Sequence, residues 1–253
     1  MPAETLPPDA RVPDADAADL LRSGELRPLG FVANASNHTL LVRVGPDDSG
    51  MAAIYKPRDG ERPLWDFPAG TLCQREVAAF EVSAFLGWNL VPRTLLRDGP
   101  MGEGSVQLFI PHNPDEHYFT LVGDERLHPQ LARVALFDLL VNNADRKGSH
   151  VLRSQTDGLL YGVDHGVTFH IEPKLRTVIW ELGDHPITAE WRADLERLAD
   201  ALEADDDALL ATLRPLLGRA ELGVLATRAR RLTRARRLPT VPEEHRPYPW
   251  PPL

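Results

Sequence analysis

A single cysteine, Cys73, leaves the chain without an intramolecular disulfide or a cysteine-built zinc site. Cysteine use this low fits a reducing compartment, so a cytoplasmic location is expected. Cys73 stands at the start of a predicted helix with no sequence-adjacent histidine and reads as a small buried hydrophobe, not a nucleophile. No apolar run approaches about 18 residues, and the acidic opening "MPAETLPPDARVPDADAADLL" has no apolar signal core. Neither export nor stable membrane insertion is expected. With a net charge of −9 the chain also lacks the positive excess that favours nonspecific binding to nucleic acid or anionic lipid, so no nucleic-acid partner is expected. The run "TRARRLTRARR" near the end reads as a solvated helix face, in preference to a headgroup or nucleic-acid patch. Lysine is scarce as well. Of 28 Lys and Arg residues only Lys56, Lys147 and Lys174 are lysines, leaving 25 arginines. A compact ammonium suits phosphate contacts where a guanidinium fork does not fit, so each lysine calls for a specific reason.

What is present suffices for a sizeable core: 253 residues, 43% of them hydrophobic. Residues 1–13 are Pro-rich and read as a disordered N-terminus, and "DADAADLLRSG" reads as a short helix stopped at Gly24. Alternating segments over 26–34 and 39–44, joined by "NASNH", predict a hairpin. "MAAIYKP" is a third strand, and a helix over 71–87 follows, with a Thr71 cap, a stop at Gly87 and Val77, Phe80, Ala84 and Phe85 on its apolar side. "VPRTLLRD" and "GSVQLFIPH" supply strands four and five. After them the chain is mainly helical, over 129–141, 188–203, 205–217 and 219–236, with two short strands near 150–153 and 159–163. The fold class is α+β, with a β-rich lobe over 14–110, a mostly α-helical lobe over 111–238 and a Pro-rich tail over 239–253.

Chemistry concentrates in "NNADRKGSH", residues 142–150, a polar loop between an apolar helix and a short strand. Phosphoryl transfer needs little covalent help from protein. It needs cations on the phosphates, a metal held by carboxylates and a group that places the acceptor hydroxyl. The chain offers these in order. Lys56 ends the third strand, suited to the α- and β-phosphates of a nucleotide, and Glu76 on the next helix is suited to hold it by an ion pair, with Glu81 a second candidate. Asp145 is the expected acceptor-orienting base, and Lys147 suits the γ-phosphate or an anionic acceptor. Asp164, in "YGVDHGVTF", suits Mg²⁺ or Mn²⁺, and a strand-turn-strand between the two aspartates brings both carboxylates to one place. Asn142 and Asn143 are expected to brace the loop through backbone hydrogen bonds.

With "AIYKP", "REVAAFEVSAFLGWNLVPRT", "DLLVNNADRKGSHVL" and "GVDHGVTF" in this order, the chain resembles the phosphatidylinositol 3-/4-kinase-like superfamily. The type II phosphatidylinositol 4-kinases are similar in particular, and a small actinobacterial kinase-like family most of all. The resemblance runs from about residue 26 to 185. It implies a bilobal protein-kinase-like fold that binds ATP in its cleft. It also implies Lys56 on the phosphates with Glu76 as partner, Asp145 in the catalytic loop, Asp164 on metal, and the backbone from Phe109 and Ile110 to His112 meeting adenine. Two departures stand out. No glycine-rich loop covers the phosphates, a task left to Ser36 and neighbouring N–H groups. His150 replaces the expected metal-ligating asparagine, and neutral imidazole suits Mn²⁺ or Zn²⁺ better than Mg²⁺. The expected function is therefore transfer of the γ-phosphate of ATP, with Mg²⁺ or Mn²⁺, to a hydroxyl on a protein or small molecule in preference to a phosphoinositide. A nucleotide-binding pseudokinase is the alternative. A metal-dependent hydrolase built from Asp145, His150, Asp164, His165 and His170 is a third reading.

Overall fold

A computed structural model describes residues 14–32, 37–46, 49–204, 208–242 and 247–253. Two compact units emerge. The first takes in the described residues up to Arg62 together with Arg93–Phe109, and the second Pro63–Pro92 with Ile110–Leu253.

In the first unit, strands β1 (Leu26–Phe31), β2 (Leu40–Val44), β3 (Met51–Pro57), β4 (Thr94–Gly99) and β5 (Gly102–Leu108) form an antiparallel sheet in the order β1-β2-β3-β5-β4. All five overlap their predicted segments, but β1 stops at Phe31, and β5 starts two residues earlier than predicted and ends at Leu108, so that β4 and β5 take in much of the predicted turn. The residues between β1 and β2 that belong to "NASNH" include Ser36, which lies outside the described residues. Every second residue of β2 and β3 is buried, so Leu40, Val42 and Val44 meet Tyr55, Ala53 and Met51 across the pair as one apolar layer. Leu21 of helix α1 (Asp14–Ser23) packs on that layer, and the Arg97 guanidinium donates to the carbonyls of Leu21 and Gly24 at 2.8 and 2.9 Å, satisfying oxygens left open at the helix end. Tyr55 explains the glycines of the β4–β5 region. A Cβ at Gly99 or Gly104 would stand 2.7 or 2.8 Å from its ring, and its hydroxyl donates to the Gly102 carbonyl at 2.5 Å. Lys56 falls on the opposite, half-buried face of β3, across from Ser105.

The second unit holds helices α2 (Leu72–Leu86), α3 (Tyr118–Leu121), α4 (His128–Val141), α5 (Ala189–Glu203), α6 (Ala208–Leu213) and α7 (Arg219–Arg234), with a ribbon of β6 (Val151–Arg153) and β7 (Leu160–Gly162). Helix α4 is the centre of its core, with Leu131, Leu136, Phe137 and Leu140 all but fully buried. Helix α2 groups with this unit, although the chain enters it between two strands of the other. Gly87 ends α2 at φ 72°, its N–H on Ala84 O at 2.9 Å and the Trp88 N–H on Ser83 O at 3.1 Å. Thr71 does not cap α2 as expected, since its hydroxyl donates to Pro68 O at 2.7 Å. The predicted apolar side is corrected too: Val77 is buried, Phe80 and Phe85 are half-buried, Ala84 is exposed, and the polar Arg75 and Glu76 are among the buried residues. Trp88 and Trp191 meet at 6.5 Å, with the Trp88 indole N–H on Asp194 at 2.9 Å. Of the arginines in the basic run at the end of α7, Arg231 and Arg234 are exposed, as a solvated face predicts, whereas Arg230 bonds Asp200 and Glu203, and Arg228 is buried beneath the His170 carbonyl. Among the described residues no helix is long and apolar enough to cross a membrane.

Candidate functional site

The loop after α4 is built around a buried ion pair. Asp138 and Arg146 are both 0% exposed. Arg146 Nε donates to both Asp138 oxygens at 3.1 and 3.0 Å, and Nη2 donates to Oδ1 at 2.9 Å. The other end of the guanidinium donates to the carbonyls of His150 and Val163 at 3.2 and 2.7 Å, and Nη2 lies 2.7 Å from His165 Nε2. One side chain thereby ties α4 to both strands of the β6–β7 ribbon at its open end. Asn143 Nδ2 donates to the same Asp138 at 3.0 Å, while its Oδ1 accepts the Asp145 N–H at 2.9 Å. Asn142 ends α4 at φ 56°, donating to the carbonyls of His170 and Glu172 and accepting the Lys174 N–H. Both asparagines brace the loop, as their type and place predict.

The candidate groups stand on this brace. The ribbon pairs Val151 with Gly162, so His150 just before it and Asp164 just after it come together, with Nε2 and Oδ2 3.3 Å apart. Asp164 is in the left-handed region at φ 61°, which aspartate tolerates at some cost, and the following peptide is held from α2, where buried Glu76 accepts the His165 N–H at 2.9 Å. Lys147 Nζ lies 3.5 Å from Asp145 Oδ2 and is largely buried, so it is not a solvated loop lysine. Burial, opposed by Lys147 and reinforced by the nearby Asp164 carboxylate, pushes the Asp145 carboxyl up to about 6. Lys174, the third lysine, pairs with Asp66 at 2.9 Å and lies over the Trp65 ring, a structural use.

The second unit therefore gathers Glu76, Asp145, Lys147, His150 and Asp164. Of the remaining candidates, Lys56 and Phe109 belong to the first unit, where the Phe109 N–H donates to Ala52 O at 3.1 Å. In the second, the His112 ring contacts Ile110 O at 2.8 Å, and His112 pairs with Ser154 as an isolated bridge. The five-residue set of the hydrolase reading is not assembled. The His165 ring meets Arg146, His170 Nε2 meets Asp66 O at 2.9 Å, and among the described residues no group of three or more His, Cys, Asp or Glu could hold a metal ion by itself. The donors fit an open site instead. A hard cation that keeps waters and phosphate oxygens needs only one or two protein carboxylates, and Asp164 close to Asp145, with the His150 nitrogen beside it, offers that.

Asp138 and Arg146 were not singled out from the sequence. The available signal was a lone acid inside the apolar run "VALFDLLV", since a charge on a buried helix face requires a partner.

No protein-family model matches the chain. Protein Rv2133c of Mycobacterium tuberculosis is 41% identical over 269 aligned positions, which cover 93% of this chain and 95% of that protein. The chain belongs to the family of Rv2133c. Among solved structures, hydra Fam20 with sugar is similar at a TM-score of 0.57 and 15% identity, covering 87% of each chain. The Golgi casein kinase is similar at a TM-score of 0.53 and 14% identity, over 89% of this chain and 75% of the other. This member of the Rv2133c family therefore has the kinase-like α+β fold, with an antiparallel sheet in its N-terminal part and helices in its C-terminal part. The narrower likeness to phosphatidylinositol 3-/4-kinases rests on the sequence motifs alone.

Proposed function

We propose that the protein is an ATP-dependent phosphotransferase that moves a γ-phosphate to a hydroxyl on a protein or small molecule. The observation that carries this reading is the meeting of Asp145, Lys147, His150 and Asp164 on one braced loop and ribbon. Asp145 takes the proton of the acceptor hydroxyl as its oxygen bonds to phosphorus and ADP leaves, and a carboxyl pushed up to about 6 is a competent base near neutral pH. Lys147 offers its ammonium to the transferred phosphoryl group. Asp164 and His150 would hold Mg²⁺ or Mn²⁺, which when bound would neutralise charge on the phosphates. The sequence resemblance alone supports the nucleotide-binding roles of Lys56, Glu76, Ser36, Phe109, Ile110 and His112. Within the kinase-like fold we assign the chain to the phosphatidylinositol 3-/4-kinase-like group on its four ordered motifs. No long apolar insertion supports a lipid acceptor. A cytoplasmic location belongs to the same reading, on the single, buried cysteine.

His150 supports a second reading, a nucleotide-binding module without transfer, because an imidazole against Asp164 replaces an oxygen donor with a softer nitrogen. Thermal-shift titration with ATP and either metal, followed by a transfer assay on a broad acceptor panel, separates the two. Under the phosphotransferase reading Mn²⁺–ATP raises the melting temperature and phosphate moves, while Asp164→Ala abolishes both effects. Binding under both metals with no transfer to any acceptor supports the module. For His150→Asn, a ligand role predicts that the ratio of Mg²⁺- to Mn²⁺-supported transfer rises about tenfold. An unchanged ratio removes His150 from the metal.

A further inference from the structure

The sequence predicts only a Pro-rich tail at the end of the chain, yet Pro247–Leu253 packs on the loop that carries Lys147 and His150. Gly148 opens a 3-10 turn, Gly148–His150, and the first N–H groups of such a turn have no partner within it. The Gly148 N–H donates to Pro252 O at 2.8 Å. Gly148 is buried, and a Cβ there would stand 2.8 Å from the Phe119 ring and 3.2 Å from the Leu253 side chain, so Leu253 and Phe119 close over the turn. At its other end the segment is anchored by Pro247 O, which accepts the Thr177 N–H at 2.9 Å and the Trp180 indole N–H at 3.0 Å. Thr177 is in turn joined to the brace: it bridges Arg146, and its hydroxyl lies 3.5 Å from Asp138. Both ends of the segment therefore close on backbone that flanks Arg146.

We propose that Pro247–Leu253 is a positioning strap. Seated, it caps the Gly148–His150 turn and so holds Lys147 and His150 beside Asp145 and Asp164. Unseated, it takes away the acceptor of the Gly148 N–H and part of the apolar cover of the turn, which then opens to water. Site order then depends on a segment about a hundred residues further along the chain, outside the helical core. The effect on transfer rests on the phosphotransferase reading, whereas the effect on the turn does not.

Two full-length variants test the strap. Trp180→Phe keeps an aromatic side chain, though a smaller one, and deletes the N–H that grips Pro247, and Leu253→Asp sets a charge against Phe119 and Gly148. In each, amide hydrogen exchange over 148–150 is expected to quicken about tenfold while protection in α4 and α5 is unchanged. Transfer with Mn²⁺–ATP is expected to fall about tenfold in kcat with KM for ATP within about twofold. Leu253→Met, which keeps the apolar contact, should behave as the unaltered chain. Unchanged exchange at 148–150 in both variants overturns the strap. So does transfer that rises as exchange quickens, because the segment would then be blocking the site. Quickened exchange in a chain that transfers no phosphate even when unaltered retires the phosphotransferase reading and leaves the strap standing.

Discussion

Replacing Asp138 with alanine is expected to destabilise the protein by about 3–5 kcal/mol, because it strands the Arg146 guanidinium, which is fully buried, without a counter-charge. Asp138 receives three bonds from Arg146, one from Asn143 and a longer one from Thr177, so its removal also orphans neutral donors. Against a total stability of about 5–15 kcal/mol for an ordinary domain, this is a large share. Chemical denaturation at fixed pH measures it. Replacing both members by apolar residues, Asp138→Leu with Arg146→Met, is expected to recover much of the loss, since the desolvation of both charges disappears together. Transfer should not recover, because no side chain then ties the His150 and Val163 carbonyls to α4. A loss below about 1 kcal/mol for Asp138→Ala would show that the pair is not what holds the loop.

For Asp145→Asn, transfer is expected to fall by about 10²–10⁴-fold while the protein becomes more stable at alkaline pH. The native carboxyl titrates near 6, whereas an unfolded aspartate titrates near about 3.9. The native state thus binds the proton more tightly, and ionisation costs stability progressively as pH rises from about 4 to 6, the full cost being present above that window. The unscreened shift corresponds to about 3 kcal/mol, but the side chain is 34% exposed, which reduces the cost to about 1 kcal/mol. An asparagine cannot ionise. At pH 8 the variant should therefore melt about 2–4 °C higher, with the difference vanishing by about pH 3. A variant that is less stable at pH 8 would mean that Lys147 depends on the Asp145 charge more than burial opposes it. Loss of transfer combined with gain of stability is what a base held at a cost to the fold produces.

How much of this was legible beforehand depends on how local each cause is. The strands of the sheet and the long helices follow from alternation, helical spacing and Gly or Pro punctuation within a few residues, and they stand close to their predicted places. The four-residue α3 carries too short a pattern to be seen. Asp145, Lys147, His150 and Asp164 stood out as chemistry-bearing types in polar loops between apolar runs, and the ribbon register that joins His150 to Asp164 follows from two short strands close in sequence. Helix α2 shows the opposite case. Its buried face includes Arg75 and Glu76 because Glu221 and the His165 N–H await them from distant parts of the chain. The sequence by itself determined the order of elements and the residue types at the loop, because short-range sterics and hydrophobic periodicity need no distant partner. Only the tertiary structure decided that Asp138 and Arg146 anchor that loop and that Pro247–Leu253 caps it. A buried charge or an unfilled N–H states a need, and which residue meets it depends on what the folded chain brings near.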